Sequence, residues 1–160
     1  MIIFCDGASN PKKKRSGIGA VWFDETQLKD PMDGKTLYNQ AVPKITLSKE
    51  IFGSKSKYIY PTNNDAEYIS LISALEKSIE LGINNVIIYM DSKLVVNQVN
   101  NKWKINFAHL QELKNKVDTF KDKIQFKLFH IRREYNTHAD ILSKSCLITE
   151  HKNPFEAWSY

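Results

Sequence analysis

The sequence predicts an α/β domain in which α-helices pack on a mixed β-sheet, and three observations lead there. Two apolar segments, Ile2 to Cys5 and Ile18 to Phe23, follow one another with no helical pattern between them, whereas helix and strand periods alternate from Thr62 onward. Val86 to Met90 is an unbroken apolar run bounded by Asn85 and Asp91, the pattern of a strand covered on both faces. At 160 residues, with 42% hydrophobic and 26% charged residues, the chain has the size and composition of a domain with one core.

Element by element, the first strand stops where turn residues begin, at Asp6-Gly7. Ala8 to Ser16 is small, polar and basic, and reads as a loop. Ile18, Ala20 and Trp22 alternate with Gly19, Val21 and Phe23, giving a second strand that pairs with the first as a hairpin. From Asp24 to Ser56 the pattern dissolves into a long connection with one or two short strands, around the apolar pieces Leu37 to Val42 and Ile45 to Leu47, the latter able to extend the sheet. Lys57 to Tyr60 is the third strand expected, closed by Pro61. Thr62, Asn63, Asn64 and Asp65 are candidate caps for a helix that carries Tyr68, Ile72, Leu75 and Ile79 on one face and stops at Gly82. After the central strand, Ser92 caps a short helix ending at Asn100-Asn101. Leu110, Leu113, Val117 and Phe120 mark the next helix, Ile124 to Ile131 a last strand, and Ala139, Leu142 and Cys146 a last helix. No internal repeat or second domain is visible.

Composition excludes several classes. No apolar run approaches the roughly 20 residues that cross a bilayer, so no membrane association is expected. The start MIIFCDG lacks the basic and apolar regions of a secretory signal. Two cysteines make neither a disulfide framework nor a zinc site, so the expected setting is intracellular, cytoplasmic or nuclear. The net charge of +5 suits an acidic partner, and Lys12, Lys13, Lys14 and Arg15 concentrate much of it in one place, where a polyanion would feel it.

The acids carry the chemistry. Asp6 and Asp91 end the first and central strands, and Glu67 lies in the first turn of the helix between them. Ligand sites in open α/β sheets lie at such strand ends. Clustered carboxylates stay ionised only when a cation holds them, and hard oxygen donors suit magnesium or manganese. Taken singly, each acid reads better as a helix cap or a strand-end surface charge; that reading weakens when three or four must be explained together.

The segments DGASN (6–10), TNNDAE (62–67), MDSKLVVNQVNNKWKI (90–105) and HIRREYNTHAD (130–140) resemble, in order, the four signature blocks of type 1 ribonuclease H. The resemblance covers residues 1–146, leaving 147–160 as a C-terminal extension expected to dock through Phe155, Trp158 and Tyr160. It implies the ribonuclease H-like fold, a five-stranded mixed sheet flanked by helices. It also implies an endonuclease that hydrolyses the RNA strand of RNA–DNA hybrids, leaving 3′-hydroxyl and 5′-phosphate ends. The catalytic, metal-holding carboxylates are then Asp6, Glu67, Asp91 and Asp140. They would serve two Mg2+ ions, with Mn2+ as a substitute, at roughly 3.5–4 Å from one another.

By the same resemblance, Gly7, Ala8, Ser9 and Asn10 read the 2′-hydroxyl together with Glu67. Thr62, Asn63, Asn64 and Ser92 meet the nucleic acid, and Trp103 and Lys104 meet the DNA strand. The chain matches the compact form without a basic protrusion, so grip is expected from Lys12 to Arg15 and Lys102 to Lys104. Arg133 or His138 takes the place of the family's usual loop histidine. The expected partner is the hybrid alone, bound by a monomer. A strand directly after Met1 favours a free-standing domain over one cut from a reverse transcriptase. Two other readings stay open: a resolvase-like DNA nuclease of the same fold, and a hybrid-binding module without catalysis.

Overall fold

In the computed structural model, residues 1–27, 42–53 and 60–148 are described. Five strands form one sheet in the order β3-β2-β1-β4-β5: β1 (Ile2–Asn10), β2 (Arg15–Phe23), β3 (Ile45–Ile51), β4 (Asn85–Met90) and β5 (Gln125–His130). The first three are antiparallel, whereas β4 and β5 run parallel to β1 and to each other. Among the described residues, four α-helices accompany them: α1 (Asn63–Glu80), α2 (Lys93–Val99), α3 (Ala108–Thr119) and α4 (Thr137–Ser145).

The pleat sorts side chains to two faces. Ile3, Cys5, Ala20, Trp22, Ile88 and Met90 meet Tyr68, Leu71 and Leu75 of α1, with Val95, Leu110 and Val117 of α2 and α3. The residues between them, Ile2, Phe4, Val21, Phe23 and Tyr89, meet Ala139 of α4 on the opposite face. Inside the larger core Trp22 is fully buried, and its Nε1 donates to Ser78 Oγ at 2.9 Å, satisfying the one polar atom of the indole.

Glycines let the helices come close enough to place the acids. A Cβ at Gly19 would lie 2.4 Å from the Ala139 carbonyl oxygen, and one at Gly7 would lie 2.2 Å from the Ala66 carbonyl carbon. β2 therefore receives α4, and β1 receives α1, backbone against backbone.

The structure corrects three expectations. Ala8 to Ser16 is not a loop: β1 runs on to Asn10 and β2 begins at Arg15, so only 11–14 turn, with Asn10 Oδ1 accepting from Lys13 N at 3.2 Å. The strand expected at Ile45 to Leu47 is present and longer, Ile45–Ile51, and it is the third of the sheet; of the expected strand Lys57 to Tyr60, only Tyr60 lies inside the described residues, in a bend. Leu37 to Ala41 and the aromatic tail also lie outside them.

Third, Arg15 belongs to the fold rather than to a free basic patch. Its Nε pairs with Glu50, and its terminal nitrogens donate to the Cys146 and Leu147 carbonyls, both at 3.1 Å. Both side chains are largely buried, so removing the guanidinium strands a carboxylate and two carbonyls. Arg15→Ala is expected to cost about 3 kcal/mol in urea unfolding. A loss below about 0.5 kcal/mol, the usual range for an exposed residue, would contradict the clamp.

Candidate active site

Asp6 ↔ Gly19 pairing places Asp6 inside β1, at the level where the parallel strand β4 has just ended at Met90 and Asp91 begins the next turn. Glu67 joins them because α1 starts with a capping box. Thr62 accepts from Asp65 N, and Asp65 Oδ2 accepts from Thr62 N at 2.9 Å. Thr62 is therefore the cap, and Asn63 and Asn64 are the first helical residues rather than caps. Asn63 Nδ2 instead donates to Glu67 Oε1 at 3.1 Å, fixing the carboxylate one turn on. Ser9 Oγ and Ser16 Oγ both donate to the Pro61 carbonyl, tying the entrance of α1 to the β1–β2 hairpin.

One oxygen from each of Asp6, Glu67 and Asp91 lies within 4.8 Å of the others. They line a cavity of about 280 Å³ together with Gly7, Ala8, Ser9, Asn63, Arg133, Asp140 and Lys144. Asp140, from the first turn of α4, completes the four acids on the wall of this cavity, with its oxygens 3.1 and 3.2 Å from Lys144 Nζ. Of the sequence-selected residues, Ser92 caps α2 by accepting from Val95 N, and its hydroxyl favours the ionised form of Glu67. Arg133 is exposed and faces Glu67 and Asp91.

Other candidates lie elsewhere. Asn64, Lys12, Lys13 and Lys14 are exposed beyond the cavity lining, and Asn10 shapes the hairpin turn. Trp103, half exposed, and Lys104 stand on the loop after α2, whose position is set by Asn97 O accepting from both Lys102 N and Trp103 N. His138 turns from the cavity and packs edge-on against Phe23, with ring centroids 5.8 Å apart.

Two residues at the site escaped the sequence reading. Asn136, almost fully buried, donates from Nδ2 to the Cys5 carbonyl at 3.1 Å and lies near enough to Asp91 to favour its ionised form, so one side chain acts on both strand ends. Lys144 pairs with Asp140 one helical turn away. The i,i+4 spacing was visible, but without a fold nothing distinguished it from a surface pair.

Burial and mutual repulsion bind protons to this cluster. Burial first, then the charges of Asp91, Asp140 and Glu67, push Asp6 up to about 8. Burial also lifts Glu67 to about 7 against the hydrogen bonds from Ser92 and Asn63. Asp91 is raised by burial too, against Arg133 and Asn136. Oxygen donors that hold protons for want of positive charge are the donor set a hard divalent cation fits.

The sign of the pH dependence follows. Raised carboxylates favour the folded state below their unfolded pKa of about 4, and that contribution disappears as pH climbs through the folded values of about 7 and 8. In EDTA, stability is expected to fall between about pH 5 and pH 8 by a few kcal/mol, and added divalent cation should flatten the decline. A flat profile in EDTA, followed by thermal unfolding, would contradict this electrostatic account.

Known proteins resemble this chain in sequence and fold. A bifunctional protein of Mycobacterium tuberculosis is 35% identical over 150 residues, which cover 92% of this chain and 35% of that one. The chain thus spans about a third of the length of the curated relatives it matches first. The solved N-terminal RNase H domain of the M. tuberculosis protein, fused to maltose-binding protein, superposes with a TM-score of 0.69 at 27% identity, covering 92% of both chains. LC11-RNase H1 from compost, solved in complex with an RNA/DNA hybrid, gives 0.71 at 28% identity, covering 91% of this chain and 98% of that one. The sheet order and helix placement are thus those of the ribonuclease H fold. With a family model matching residues 51–146, well over half its length, the chain belongs to the reverse transcriptase-like family.

Proposed function

We propose that this chain hydrolyses the RNA strand of RNA–DNA hybrids, acting as a monomeric single-domain endonuclease. The observation that carries the reading is the convergence of three carboxylate oxygens within 4.8 Å, beside Asp140, in a cavity walled by Ala8, Ser9 and Asn63. The likeness to LC11-RNase H1, solved with an RNA/DNA hybrid, supports the same substrate. Asp6, Glu67, Asp91 and Asp140 would hold two Mg2+ ions, or Mn2+ in their place. When bound, these ions supply Lewis-acid stabilisation of the reacting phosphate and activation of the attacking water.

The protein's own part is to hold geometry and exclude alternatives. Asn63 and Ser92 keep Glu67 turned inward, Asn136 keeps Asp91 against β1, and Lys144 restrains Asp140. Glu67 and Gly7, Ala8 and Ser9 of β1 line the cavity, where a 2′-hydroxyl would distinguish RNA from DNA. Arg133 offers the cavity its cationic arm toward a phosphate. Trp103 and Lys104 offer the DNA strand an aromatic face and a charge.

The decisive assay is cleavage of end-labelled RNA–DNA, RNA–RNA and DNA–DNA duplexes, and of DNA with a single ribonucleotide, in Mg2+, Mn2+ and EDTA. Metal-dependent cutting confined to the RNA strand of the hybrid is expected. Cutting of DNA duplexes would move the chain to the resolvase-like branch, and hybrid bound but never cut would make it a binding module. The exposed turn has its own signature: replacing Lys12, Lys13 and Lys14 together by Ala should weaken hybrid binding and lower the salt slope by roughly 2–3. An unchanged slope would reduce those lysines to solvated charges.

A further inference from the structure

We propose that the free edge of β5 is a docking site for an acidic, extended peptide, bound as a sixth strand of the sheet, separate from the hydrolytic cavity. β5 is the last strand of the sheet. Gln125 N donates to Asn84 O and Ile131 N to Met90 O, so the odd-numbered amides of β5 serve β4. By the two-residue period, Phe126 and Leu128 turn their N–H and C=O groups outward. Asn100 Nδ2 takes the Leu128 carbonyl at 3.0 Å, closing one end of the edge and leaving the stretch at Phe126 available to a partner backbone.

A groove of about 640 Å³ lies along this edge, between β5 and the turn after α2. Its apolar wall is Val99, Ile124, Phe126 and Leu128, of which Phe126 keeps part of its ring exposed. Lys102, Lys121 and Lys127 line it, and no acidic residue does. Lys121 is 2.9 Å from Asp118, but Asp118 is also held by Lys114 at 2.6 Å, so the local balance remains positive. Open edge strands are ordinarily blunted or covered, and an edge with apolar pockets and lysines offers main-chain pairing plus charge complementarity. Backbone donors and acceptors in strand register favour a peptide over a nucleic acid, whose phosphates would use the lysines and leave the edge groups idle.

The test uses the full chain and three labelled probes: a peptide of alternating Glu and Val, one of alternating Glu and Pro, and oligo-dT. The Glu-Val peptide should bind, measured by fluorescence anisotropy, and should slow hydrogen exchange at the Phe126 amide. Lys121→Glu with Lys127→Glu should weaken that binding about tenfold or more while leaving cleavage of the hybrid intact. Equal binding of the Glu-Pro peptide, which lacks half the needed N–H groups, would reduce the site to charge attraction and overturn strand addition. Preferential oligo-dT binding in the groove, or no exchange protection at Phe126, would overturn it as well.

Discussion

Asp6→Asn should abolish cleavage of the hybrid, by at least ~1,000-fold, while leaving the fold and hybrid binding in place. The side chain sits in the middle of β1 with Asp91, Glu67 and Asp140 around it, and Oδ1 accepts from Gly7 N at 2.9 Å, a bond that an asparagine oxygen can keep. The substitution removes the charge that the other acids oppose most strongly. The same variant should therefore be more stable than the parent in EDTA at pH 8, by several degrees in Tm, since about 1 kcal/mol is worth roughly 2–4 °C at this size. The two readouts separate the roles. Full activity would sink the site assignment, whereas lost activity with a lower Tm would mean that Asp6 supports the fold rather than the chemistry. Asp91→Asn should follow the same pattern, because Asp91 contributes directly to the repulsion at Asp6.

Gly7→Ala should damage both the fold and the site. The added methyl meets backbone, 2.2 Å from the Ala66 carbonyl carbon and 2.4 Å from Glu67 N, so no rotamer relieves it. α1 must back away from β1, at a cost of about 3 kcal/mol, the upper end for overpacking. Glu67 moves with the helix and Asp6 with the strand, so the carboxylates separate. Displacement of that order costs about 100-fold in rate. Denaturant unfolding and single-turnover cleavage would check both effects. Wild-type values in both would mean that the helix has room to shift without moving its acid.

Much of this was legible before any coordinates. Val86 to Met90 announced the buried strand, and the run Thr62 to Asp65 announced the start of α1 without telling which of the four caps it, because both signals are local. The misread hairpin has a physical cause. Ala8, Ser9 and Asn10 have weak strand preferences, and they are held extended by pairing with Arg15, Ser16 and Gly17 rather than by their own propensity. β3 is an edge strand whose residues are half exposed, so its alternation is blurred. Asn136, Lys144 and the clamp made by Arg15 could not be seen at all, since each acts through partners distant in sequence or through a turn whose surroundings only the fold supplies. A run of four basic residues looks uniform on paper, yet the hairpin exposes three and buries the fourth.

The span of those distant contacts sets when in its synthesis the protein becomes competent. Asn136 reaches the Cys5 carbonyl, Arg15 reaches Leu147, and Asp140 stands beside Asp6, so the cavity joins the first and last parts of the described chain. Such non-local closure is slow and comes after local hairpins and helices have formed. A nascent chain that has displayed β1 through β5 still lacks the fourth acid and the cation that restrains it. On the proposed function, cleavage would therefore begin only once α4 has left the ribosome and docked.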